Sequence, residues 1–212
     1  ISLAAQANIE KLYTEDRSKV ALSNDVRKRI SYGIQSIYSN TDTANLASTT
    51  ASITNDLLNA IDQNNAIAID IGELKTSDEY TFKHSVDVAT IAMILAKQQG
   101  LSKQEIFEIG VAGLLHDVDF EDTEGSQMDK HGLVGAAWLK DLGVNEAIVH
   151  AIMAHNEENG TKRETFMDYA LTASETISGF ITAVAKIYPD KKVASVKVSS
   201  VTKRMKEKAF AS

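Results

Sequence analysis

The sequence predicts an all-α protein. Three observations point that way: one proline in 212 residues, only 6% aromatic residues in a chain rich in Ala, Leu, Ile, Lys and Glu, and apolar positions that recur at three- and four-residue spacing. The stretch from Asn24 to Tyr38 puts Val26, Ile30, Ile34 and Ile37 on one face. Leu46 to Ile61 repeats the pattern with Ile53, Leu57, Leu58 and Ile61. Ala66 to Ile71 alternates β-branched and small residues and is read as a connector.

Ser77, followed by Asp78 and Glu79, predicts the start of a helix that runs to about Gln99 and is closed by Gly100. Ser102 and Glu105 have capping-box spacing and open the next helix, which is expected to end at His116. Asp117 to Lys130 is polar, contains Gly125 and reads as a loop. Further helices are expected over about 130–142, 145–157, 163–188 and 199–210. A boundary near 72–76 divides the chain into an N-terminal helical segment, residues 1–75, and a core domain, residues 76–212.

Composition excludes several classes. With no cysteine, neither disulfides nor thiolate metal sites are available, and a reducing, cytoplasmic setting is expected. The longest uncharged apolar runs, Gly110–Leu115 and Ala147–Ala154, are too short to span a bilayer, so no membrane partner is expected. The first residue is Ile1 rather than Met, which suggests a segment of something longer. A net charge of −7 argues against general nucleic-acid binding. The charge is uneven: from Lys186 onward eight Lys/Arg face two acids, about +6. That tail is either a solvated helix face or a basic lip for a phosphorylated substrate.

Only five histidines exist, His84, His116, His131, His150 and His155. Any one of them alone is an ordinary structural residue; their order carries the signal. His84 lies early in one predicted helix, and His116-Asp117 closes the next after Val111, Ala112, Gly113, Leu114 and Leu115. His131 begins a helix beyond the loop, and His155 stands near the end of another. Imidazole and carboxylate together suit Mn, Fe, Co, Ni or Zn, and a carboxylate beside a histidine can serve two ions. His150 and His155, five apart, differ by about 140° around a helix, so His150 is left out.

With "YTFKHSVDVATIAMILAKQQGLS" and "IGVAGLLHDVD" around them, His84 and His116-Asp117 resemble the HD superfamily of metal-dependent phosphohydrolases over about residues 75–212. Residues 20–118 look like the opening half of an HD-GYP domain, the cyclic-di-GMP phosphodiesterase type. From Asp119 onward, "DFEDTEGSQMDKHGLVGAAWLKDLGV", "AIMAHNEENG" and "ALTASETISGFITA" look more like small stand-alone HD hydrolases. The chain departs from HD-GYP at Phe120, where that family has lysine, at His155-Asn156, where it pairs two histidines, and after Glu157, where Gly-Tyr-Pro is missing.

The resemblance implies an HD-domain helical bundle with an N-terminal extension and one or two divalent transition-metal ions. It implies His84, His116, Asp117, His131 and His155 as ligands, with Glu175 standing where the family usually has Asp. It further implies a metal-activated attack on a small phosphorylated substrate, with Asp119 or Glu157 accepting a proton and Lys83, Lys130, Lys162 or Arg163 holding phosphate. Two other classes stay open: a di-iron oxygenase, and a non-catalytic signalling module cut from a larger protein; in any of these readings the N-terminal helices can pair with a second copy as a homodimer.

Overall fold

The computed structural model describes residues 20–21, 33, 43–63, 67–68 and 77–207. These residues form an all-α fold apart from one short parallel pairing, β1 (Val20–Ala21) with β2 (Ile67–Ala68). The stretch read as a connector thus contributes a two-residue strand: Ile67 pairs with Val20 and Ala68 with Ala21, a long-range match that local alternation does not reveal. The amphipathic stretch 24–38, Gly33 apart, lies outside the described residues.

The helices are α1 (Thr43–Gln63), α2 (Ser77–Gln98), α3 (Lys103–Leu115), α4 (Phe120–Thr123), α5 (Leu133–Asp141), α6 (Glu146–His155), α7 (Phe166–Lys186) and α8 (Val198–Arg204). Local chemistry starts them, at α3 and α6 where expected. Ser102 and Glu105 form both halves of a capping box on α3, Thr165 and Asp168 do the same on α7, and the Asn145 side chain accepts from Ala147 N at α6. Several boundaries move: α7 begins three residues later than predicted, and α8 ends at Arg204 rather than near 210. The predicted loop 117–130 contains α4 and a 3₁₀ turn at Met128–Lys130. Helix α5 begins three residues later than predicted, because His131 is extended (φ −60°, ψ 134°) and Gly132 is left-handed (φ 82°). His131 therefore stands outside any helix.

One apolar core joins all the long helices. α1, from the leading segment, buries Ile53, Leu57 and Ile61 in it, beside Met93 of α2, Ile109 and Leu114 of α3, Ile152 of α6 and Leu171 of α7. Lys97 fastens the end of α1 by donating to the Ile61 carbonyl at 2.6 Å. Glycine sets the approach of α3 to α2. A Cβ on Gly113 would sit 2.5 Å from Ala89 Cα, so the two backbones touch there. Among the described residues no helix is long and apolar enough to cross a membrane.

Candidate metal centre

The Gly113–Ala89 contact brings the end of α3 against the early part of α2, with the His84 and His116 rings 5.4 Å apart. α7 packs on both α2 and α6 and delivers Glu175. The last residue of α6 is His155, and the turn before α5 supplies His131. The result is two adjoining triads: His84, His116 and Glu175, and Asp117, His131 and His155. Within each, one ligand atom per residue lies within 4.8 Å of the others.

Asp117 stands between the two. Its Oδ2 is 3.3 Å from His116 Nε2 and 4.0 Å from His84 Nε2. Its Oδ1 is 3.2 Å from His131 Nε2 and 3.8 Å from His155 Nε2. His116, His131, His155 and Asp117 are all buried. Burial works against a charge on Asp117, but the imidazoles of His116, His131, His155 and His84 outweigh it and hold the carboxyl well below the usual range.

The imidazoles of His116, His155 and His131 are turned the same way. His116 Nδ1 donates to the Gly113 carbonyl at 2.9 Å, and His155 Nδ1 donates to the Ile152 carbonyl. His131 Nδ1 lies 2.9 Å from Asp119 Oδ1. With Nδ1 occupied, the Nε2 atoms face inward: those of His131 and His155 are 3.1 Å apart, and His116 Nε2 is buried with no hydrogen-bond partner. Nε2 atoms converging beside a carboxylate, with the other ring nitrogen tied to an acceptor, match a transition-metal donor set once His131 gives up its Nε2 proton.

The protonation states match that crowding. Burial lowers His84 and His116 and pushes His155 down to about 4. Burial also works against protonating His131, yet its bonds to Asp117 and Asp119 prevail and raise it to about 9. Burial, helped by the charge of Asp117, lifts Glu175 to about 7.

A family model for the HD domain matches residues 81–188. The chain belongs to the HD-domain family. This HD domain is 39% identical over 116 residues to ribonuclease Y of Lawsonia intracellularis, covering 51% of this chain and 21% of that protein. Ribonuclease Y of Geotalea uraniireducens is 37% identical over 116 residues, 20% of its length. A cyclic di-GMP phosphodiesterase of Pseudomonas aeruginosa is 35% identical over 99 residues, 40% of this chain and 24% of that protein. The chain thus spans roughly a fifth to a quarter of these relatives. No solved structure matches it.

Two residues expected to accept a proton are placed differently. Asp119 is fully buried, and its Oδ2 accepts from Gly132 N at 2.9 Å and Gly135 N at 2.7 Å. Its other oxygen is buried 2.9 Å from His131 Nδ1. Glu157 is exposed in the 3₁₀ turn after α6 and ion-paired with Arg163, outside both triads. Of the expected phosphate-holding cations, Lys130 is exposed and donates to Gln127 Oε1, Arg163 is engaged by Glu157, and Lys162 is exposed. The Lys83 side chain lies outside the described residues. His150, left out of the ligand set, stands 3.2 Å from the buried Asp168 on α7, away from both triads. Sequence reasoning did not find the Gly113 and Ile152 carbonyls or Asn156 and Asn159, whose side chains donate to the His131 carbonyl at 3.1 Å and 3.0 Å. The nearest sequence signal for them was the pair of glycines, Gly132 and Gly135, just after His131.

Proposed function

We propose that this HD domain is a metal-dependent phosphohydrolase that cleaves a phosphoester of a nucleotide or another small phosphorylated compound. One observation carries the reading: four imidazoles and two carboxylates converge with Asp117 between them, its two oxygens facing opposite triads. The names of its relatives, a ribonuclease and a cyclic di-GMP phosphodiesterase, support a phosphodiester as the bond attacked.

A divalent transition metal, when bound, supplies the Lewis acidity that phosphoester hydrolysis needs. His131, His155 and Asp117 would hold one ion, and His84, His116 and Glu175, beside Asp117, a second. The chain's own contribution is orientation. The Gly113 and Ile152 carbonyls fix the tautomers of His116 and His155, and the Asp117 carboxylate stays charged throughout the neutral range. In the metal-free protein Glu175 titrates at about 7, so binding of the second ion near neutrality would release a proton from it.

Freshly purified protein is expected to carry transition metal and to hydrolyse bis(p-nitrophenyl) phosphate. His116→Ala and Asp117→Ala are each expected to abolish both properties. Hydrolysis that survives either change overturns the reading, and a clean metal-free preparation favours a non-catalytic module.

A further inference from the structure

We infer that Asp119 is a positioning residue that fixes His131, the one histidine of the cluster that neither lies in an α-helix nor directly follows one, so that His131 Nε2 faces Asp117 and His155. The inference rests on the proposed metal chemistry for its consequence, but its geometry stands alone. Gly132, the residue before α5, has no side chain to cap that helix and is left-handed. Asp119 Oδ2 fills the role from another part of the chain by accepting from Gly132 N and Gly135 N. That leaves Oδ1, 2.9 Å from His131 Nδ1.

The second neighbour of His131 Nδ1 makes the tautomer unambiguous. Thr123 Oγ1 lies 3.2 Å from it but already gives its proton to the Asp119 carbonyl at 2.8 Å. Both groups facing Nδ1 are therefore acceptors, so Nδ1 carries a proton and Nε2 is the nitrogen left for the cluster. The approach needs glycine as well: a Cβ on Gly135 would come within 3.2 Å of Asp119 Cγ and 2.8 Å of Val118 Cγ1. Asn156 and Asn159 hold the far side of the same residue through its carbonyl.

A pure helix cap and a positioning residue respond differently to Asp119→Asn. The amide oxygen can keep both backbone N–H bonds, while the amide NH₂ opposes the Nδ1 proton of His131. The test combines ¹⁵N and ¹H NMR of the histidine rings, Zn²⁺ titration by calorimetry, and thermal denaturation of metal-free protein. The wild type is expected to show a hydrogen-bonded Nδ1–H on His131. Asp119→Asn leaves Thr123 Oγ1 as an acceptor, so it is expected to shift that resonance and to bind Zn²⁺ roughly 10–100-fold more weakly, with a melting temperature close to that of the wild type. Unchanged Zn²⁺ affinity and an unchanged Nδ1–H would overturn the inference. If the variant does not fold, the wild-type spectrum decides, because a His131 ring protonated only on Nε2 overturns it. A wild type that shows the Nδ1–H bond but takes up no Zn²⁺ sinks the phosphohydrolase reading while the placement of His131 stands.

Discussion

His116 and His155 reach the centre from helix ends, whereas His131 reaches it from a turn. The helix-borne pair needs nothing beyond its own helix, since the carbonyl three residues back accepts the Nδ1 proton in both. His131 has no such carbonyl in place and borrows Asp119 from twelve residues earlier, Asn156 and Asn159 from beyond α6, and two glycines nearby. The same ring orientation thus comes from local hydrogen bonding in one region and from tertiary assembly in the other. Ligands of the first kind are as rigid as their helix; a ligand of the second kind depends on several contacts that can be removed one at a time.

Four measurements bear on that contrast. The largest effect belongs to pH. His131 sits at about 9 in the fold against an ordinary value of 6.5, so its protonated form stabilises the metal-free protein. That contribution is whole below pH 6.5 and is lost as the pH rises through 9. An ion taking Nε2 must displace the proton, so apparent Mn²⁺ affinity is expected to climb roughly a hundredfold from pH 7 to 9. A flat affinity profile would mean that His131 is not a ligand.

Next comes Gly113→Ala, which forces a Cβ to within 2.5 Å of Ala89 Cα on the helix-borne side. It is expected to cost about 3 kcal/mol in chemical denaturation, because backbone rather than side chain has to give way. Gly132→Ala strikes the turn-borne side, at φ 82° and with a Cβ 2.8 Å from the Ile152 carbonyl oxygen. A loss of about 2 kcal/mol is expected there, together with weaker metal binding; stability lost without any change in metal binding would break the contrast. The smallest effect is Glu157→Gln. An exposed ion pair with Arg163 contributes under about 0.5 kcal/mol, and metal content is expected not to change.

Helix starts were legible because caps are local: Ser102 with Glu105, Asn145, and the acidic start of α2 are chemistry within one turn. The ligand types were legible for a related reason, since few histidines exist and each lies beside an apolar helical run. Their convergence came with the family resemblance rather than from any spacing. What the sequence did not disclose depends on residues that meet only after folding. Asp119 reads as a free acid until Gly132 and Gly135 supply its two N–H donors. His131 reads as the start of α5 until Gly132 is seen in a left-handed turn. The pairing of Val20–Ala21 with Ile67–Ala68 joins positions 47 residues apart and has no local mark.

The contact of Gly113 with Ala89 has one more consequence. The approach of the backbones that carry His84 and His116 is gauged by main chain against main chain, with no side chain between them that could repack. Under the proposed chemistry, that side of the centre is the one whose frame yields least. Any accommodation of a larger or smaller cation falls to the opposite side, where His131 hangs on the side chain of Asp119.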